Sequence, residues 1–185
     1  MTAPTSDSTS GSGTNAAETT STLVPGSTGA VVTAEVTIGA IEAEATQAIQ
    51  VGIGAAHAAV WAYGLISAWD NDDIGVIRAD RLANKQVRDS ANDLLGSVGV
   101  EPVRTEAAYK LPIAVTDKAT AQQIAVVIEK DCTNAWRAVV GSTDNYRLRR
   151  FALTALSDAA VRLTAWRILA AQSPTTVPFP GDESS

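Results

Sequence analysis

Four stretches of this chain place apolar residues at alternating steps of three and four, and the gaps between them run short, long, short. In Ser142–Ala171, Phe151, Ala155, Asp158, Arg162, Ala165 and Leu169 form one stripe, with Ala152, Leu156, Ala159, Leu163 and Trp166 beside it. Together they make the wide apolar face of a 3.6-period helix. Asp158 and Arg162 fall inside that face, four apart and opposite in sign. Charges in an apolar seam have to be paired or put to use.

The other three stretches behave alike. A first helix is expected from near Thr33 or Thr37 to Trp69, with Ile49, Ile53, Ala56, Val60, Tyr63 and Ser67 on one stripe. Gly52, Gly54 and Gly64 each weaken it and suit a close backbone approach or a kink. The acidic turn Asp70–Asp73 follows, with Asp72 or Asp73 placed to cap a second helix over Ile74–Val98. That helix carries three polar residues, Arg81, Asn84 and Arg88, on the stripe begun by Ile77. Gly99–Val115 has two prolines and no helical period, and Tyr109 and Leu111 are its anchors. A third helix starts at Thr116–Asp117, presents Ile124, Ile128, Cys132, Ala135 and Val139, and stops at Gly141. Ser142 or Thr143 then caps the fourth. Connections of about four, seventeen and three residues select an antiparallel four-helix bundle with one long crossover between helices 2 and 3. A plain up-and-down bundle with a loose second loop is the competing topology.

Composition bounds the rest. Residues 1–30 are rich in Ser, Thr, Gly and Ala, with too little bulk for a core, and are expected to be a disordered tail. The bundle is expected over 31–171, and 172–185 as an extended Pro-containing tail. A net charge of -6, with four lysines and ten arginines, argues against a nucleic-acid partner. Arg147, Arg149 and Arg150 cluster at the start of the fourth helix but are too few to change that. The single cysteine, Cys132, excludes an internal disulfide and a multi-cysteine metal site. Ile49–Trp69 is weakly polar but interrupted by Gln50, His57 and glycines, so it reads as a core helix and not a membrane span. No secretory signal is recognisable, and the cytoplasm is the expected location.

The stretches AHAAVWAYG (Ala56–Gly64), NKQVRD (Asn84–Asp89), AYKLP (Ala108–Pro112), IEKDCTNAWR (Ile128–Arg137) and ALSDAAVRLTAWR (Ala155–Arg167) resemble the actinobacterial ferritin-like domain family of unknown function, DUF4439. The resemblance spans about residues 35–171. It implies an all-α, ferritin-like fold and no established reaction.

A di-iron bundle of that kind needs a Glu from two helices and a Glu-x-x-His from each of the other two. Here Ala56 stands where an inward carboxylate is expected, and Arg81 with Asn84 where the acid and histidine belong. Glu129 is retained, and Asp158 is followed by Val161 in place of histidine. With Arg88 and Arg162 on the same face, the residues favour an inward polar network of Asn84, Arg88, Glu129, Asp158 and Arg162, with no metal or other cofactor. Arginine suits such a network because its planar fork engages two carboxylate oxygens. His57 lies beside the inward stripe and reads as a satisfied or surface histidine. Cys132 reads as a small buried hydrophobe.

The expectation is a bundle that is not catalytic and acts through a homodimer or a protein partner. Two alternatives stay open. One is a metal-binding or redox enzyme using Glu129, Asp158 and Cys132, with His57. The other is an apolar small-molecule site between the helices.

Overall fold

The computed structural model describes residues 39–181; the expected N-terminal tail lies outside them. The fold is all-α, with helices α1 (Ala43–Ile66), α2 (Ile74–Ser97), α3 (Lys118–Gly141) and α4 (Tyr146–Leu169). Gly52 meets the ring of Trp136 and Tyr63 reaches Glu129, so α1 and α3 run antiparallel. Arg81 of α2 bonds back to Val60, and Lys118 at the start of α3 meets the turn between α1 and α2. The second connection therefore travels the length of the bundle, as its length predicted. This is the ferritin-like four-helix arrangement.

α1 and α3 form the spine. α1 packs on α2 and α3, and α3 packs on α1 and α4, while the backbones of α2 and α4 stay further apart. Their burial follows from that: α1 and α3 have buried side chains on several faces, whereas α2 and α4 bury one stripe each. By length and composition α1 could cross a membrane; here half of its most apolar window is buried inside the bundle.

The helix ends show what the spacing did not resolve. α1 begins at Ala43, later than Thr33 or Thr37, because Glu42 is extended and its carbonyl accepts from Thr46 N at 2.9 Å. α3 starts as expected: Asp117 accepts from Thr120 N at 2.8 Å, while the Thr120 hydroxyl oxygen accepts in return from Asp117 N–H at 3.1 Å. At α2, neither Asp72 nor Asp73 makes a side-chain cap. Lys118 draws Asp70, Asp72 and Asp73 to 3.4, 2.9 and 3.1 Å instead. Hydrogen bonds to Asp72 and Asp73, with the Asp70 charge, hold its ammonium pKa well above the usual lysine value. The cap of α4 is Asn145, not Ser142 or Thr143; it accepts from Arg147 N and Leu148 N. Thr143 is buried and donates to Glu42 Oε2 at 3.1 Å, tying the α3–α4 turn to the start of α1.

The crossover is fastened at Val103. Its N–H donates to Asn92 Oδ1 at 2.9 Å and its carbonyl stands 3.0 Å from His57 Nε2. Tyr109 packs on Trp61 with ring centroids 5.9 Å apart, and Leu111 lies against the core. After Leu169 the described chain is non-helical and returns to α3. Gly181, with φ +82°, sits so close that a Cβ there would stand 2.7 Å from the Thr133 carbonyl oxygen.

A buried polar cluster as candidate functional site

Glu129 is fully buried on α3, at the level where all four helices converge. Tyr63 of α1 donates its phenol proton to Oε1 at 2.8 Å, and Asn84 of α2 donates its amide to the same oxygen at 2.8 Å. Arg162 of α4 places Nε 3.0 Å from Oε2. That contact is an ion pair off the N–H axis, so neither Oε2 nor Nε has a directed hydrogen bond. Asn84 is itself held by Cys132, whose thiol donates to Oδ1 at 3.5 Å, and by its own bond to the Asp80 carbonyl at 3.0 Å. A second buried carboxylate, Asp80, accepts from Trp166 Nε1 at 2.8 Å, bridging α2 to α4.

Burial governs the protonation of this cluster. It pushes the Glu129 carboxyl pKa up, against the pull of Arg162 and of the Tyr63 and Asn84 hydrogen bonds. Asp80 is raised by burial too, opposed by Trp166. The Tyr63 phenol and the Cys132 thiol both lie well above their ordinary values, first through burial and then through the Glu129 charge. A thiol so placed is neither a ready nucleophile nor a metal ligand.

Of the residues singled out by sequence, Asn84, Glu129 and Arg162 are brought together. Arg88 is not: it pairs with the neighbouring, half-exposed Asp89 at 2.6 Å, its own side chain 16% exposed. Asp158 is not either. The buried stripe of α4 is Leu148, Ala152, Ala155, Ala159, Leu163 and Trp166, so the helix is turned away from the stripe that carries Asp158. Asp158 is left exposed at the rim of a 210 Å³ recess between α2 and α4, and Arg162 reaches inward from the same edge. His57 is buried but is turned to the Val103 carbonyl, away from Glu129. Cys132 is hydrogen-bonded to the cluster through Asn84. Glu129, Asp158 and Cys132 therefore do not converge on one accessible cavity. Tyr63, Asp80 and Trp166 complete the cluster; Asp80 sits one helical turn before Asn84, which was the signal that could have found it.

The residues present do not fit the di-iron group that ferritin-like bundles are built to hold. A tyrosine, an asparagine and an arginine occupy three of the four helices at this level. The Arg162 guanidinium stands where a cation would have to bind Glu129 Oε2. Among the described residues, no three His, Cys, Asp or Glu side chains gather as a metal site.

The family described as a domain of unknown function, DUF4439, matches residues 48–184. The match thus takes in the C-terminal segment that folds back on α3. A solved structure, a conserved hypothetical protein from Mycobacterium tuberculosis, is 31% identical with a TM-score of 0.67, covering 74% of this chain and 97% of that one. No curated protein matches the chain.

Proposed function

This chain belongs to the DUF4439 family, and from that premise we propose that it is a non-catalytic association module whose partner is a second copy of itself. The observation that carries the reading is the state of Glu129. Its charge is met by Arg162 and its inner oxygen accepts from Tyr63 and Asn84, which leaves no ligand set for a redox metal. What the bundle offers outward is the free side of its spine. There Val51, Gly54, Ala55 and Ala58 of α1 and Ala135 and Ala138 of α3 line an apolar groove of 490 Å³. Val51 is 57% exposed in it. Small side chains let a second backbone approach closely, and an apolar face with one charged residue, Asp131, can match its own copy across a two-fold axis.

Sedimentation equilibrium and native mass spectrometry test this directly. A dimer is expected that dissociates in Ala55→Arg while the thermal melt of the monomer is retained. A monomer throughout the micromolar range would discard the reading. Loading with Fe(II), Mn(II) or Zn(II) addresses the catalytic alternative: metal retained by the wild type and lost in Glu129→Gln would replace this proposal with a metalloenzyme.

A further inference from the structure

Away from Glu129, the outer side of the α1–α2 hairpin carries a charge pattern that a merely solvated helix face does not. Arg78, Arg81, Lys85 and Arg88 follow one another along α2 at steps of three, four and three. Side chains at those spacings are neighbours, and like charges there repel. Solvated helix faces ordinarily interleave the two signs. Here the four cations line a groove of 570 Å³ together with Val60 and Leu82, and no acid lines it. A further recess of 290 Å³ shares Arg78 and Arg81 and continues toward Ser67 and Asn71, again without an acidic residue.

The groove is partly organised in advance. Arg81 Nε donates to the Val60 carbonyl at 3.1 Å, which fixes its guanidinium against α1. Among the described residues, Arg88 is paired with the adjacent, half-exposed Asp89 alone. Among the described residues, Arg78 and Lys85 have no ion-pair partner.

We propose that this groove binds a small phosphorylated molecule carrying more than one anionic phosphate group, a polyphosphate or polyphosphate ester. Guanidinium forks match phosphate oxygens in pairs, and clustered arginines with a lysine are the usual means of holding them. Ten residues of helix separate Arg78 from Arg88, about 15 Å, which is too long for one phosphate. The recess at Ser67 and Asn71, floored by Tyr63 and Ile77, gives room for an organic body. The 570 Å³ groove is of the size that small-molecule sites occupy, and the 290 Å³ recess extends it. A short ligand is favoured over a polymer because the chain as a whole carries -6. A long polyanion would meet that field, whereas a short one stays within about a Debye length of the cations, ~8 Å at physiological salt.

Isothermal titration of the full chain with tripolyphosphate, pyrophosphate, inorganic phosphate, ATP and poly-glutamate tests the assignment. Tripolyphosphate and ATP are expected to bind saturably and more tightly than inorganic phosphate, and to weaken as salt is raised. The exposed pair Arg78→Ala and Lys85→Ala together should weaken tripolyphosphate about tenfold or more and leave the oligomeric state unchanged. Lys85→Glu should raise the melting temperature of the ligand-free protein, by relieving repulsion, while removing the stabilisation by tripolyphosphate. Absence of saturable binding by every phosphate probe would overturn the proposal. So would equal affinity in the double variant, or poly-glutamate outcompeting tripolyphosphate, which would make the groove a dock for an acidic protein segment.

Discussion

Arg162 and Glu129 face each other across α4 and α3 at 3.0 Å, with the carboxylate fully buried and the guanidinium side chain 12% exposed. Removing one partner strands the other. Glu129→Gln keeps the shape and leaves an unpaired, largely buried guanidinium, so it should cost about 3–5 kcal/mol in urea unfolding. Replacing both, as Glu129→Leu with Arg162→Met, should recover most of that loss. A single variant no less stable than wild type would show that the pair is solvated in solution.

The pH dependence of stability has an unusual sign. Glu129 and Asp80 have carboxyl pKa values raised above the unfolded ones, chiefly by burial. The folded protein therefore keeps those protons to higher pH than the unfolded chain does. Their contribution is present below the ordinary carboxylate range and is lost as pH rises through the raised values. Asp117, lowered by its hydrogen bonds to Thr120, acts in the opposite sense and at lower pH. The melting temperature should fall as pH rises above the ordinary carboxylate range, and Asp80→Asn should flatten that slope. Identical slopes in the two proteins would remove Asp80 from the account.

Two glycines of α1, two residues apart, should respond oppositely to alanine. A Cβ at Gly52 would stand 3.0 Å from the Trp136 ring, whereas one at Gly54 meets nothing within 4 Å. Gly52→Ala has to displace a buried tryptophan and should cost about 1–3 kcal/mol despite its better helix propensity. Gly54→Ala should stabilise the monomer by about 0.5–1 kcal/mol. Chemical denaturation at low protein concentration reads both.

The crossover should loosen when Val103 loses its partners. Asn92→Ala removes the acceptor for the Val103 N–H and His57→Ala the partner of its carbonyl. Each should cost about 1 kcal/mol. Hydrogen exchange should accelerate across residues 100–111 while α3 stays protected. Unchanged exchange there would mean that the Trp61–Tyr109 contact alone holds the segment.

The four helices and the crossover were legible because 3.6-residue periodicity and connection length depend on local sequence alone. The rotation of α4 was not. Two alanine-rich stripes lie side by side on it, and a turn of one residue, about 100°, exchanges them at little apparent cost. That is why Asp158 reads as inward in sequence and is exposed in the fold. Arg88 fell to the same ambiguity, settled by its short pair with Asp89. Tyr63 and Trp166 were visible as apolar bulk, but the partners of their polar atoms, Glu129 and Asp80, lie 66 and 86 residues away. Only the tertiary fold brings such atoms together.

The crossover divides the chain into two hairpins, α1–α2 and α3–α4, whose main contact is the spine. The second hairpin carries the Glu129–Arg162 ion pair complete, yet Glu129 Oε1 has its partners, Tyr63 and Asn84, only on the first. Docking the hairpins one helical turn out of place would bury that oxygen unmet, at about 1–3 kcal/mol or more for a charged group. The cluster thus adds a polar penalty on wrong alignment of the two hairpins to the apolar fit that seats the Trp136 ring over Gly52.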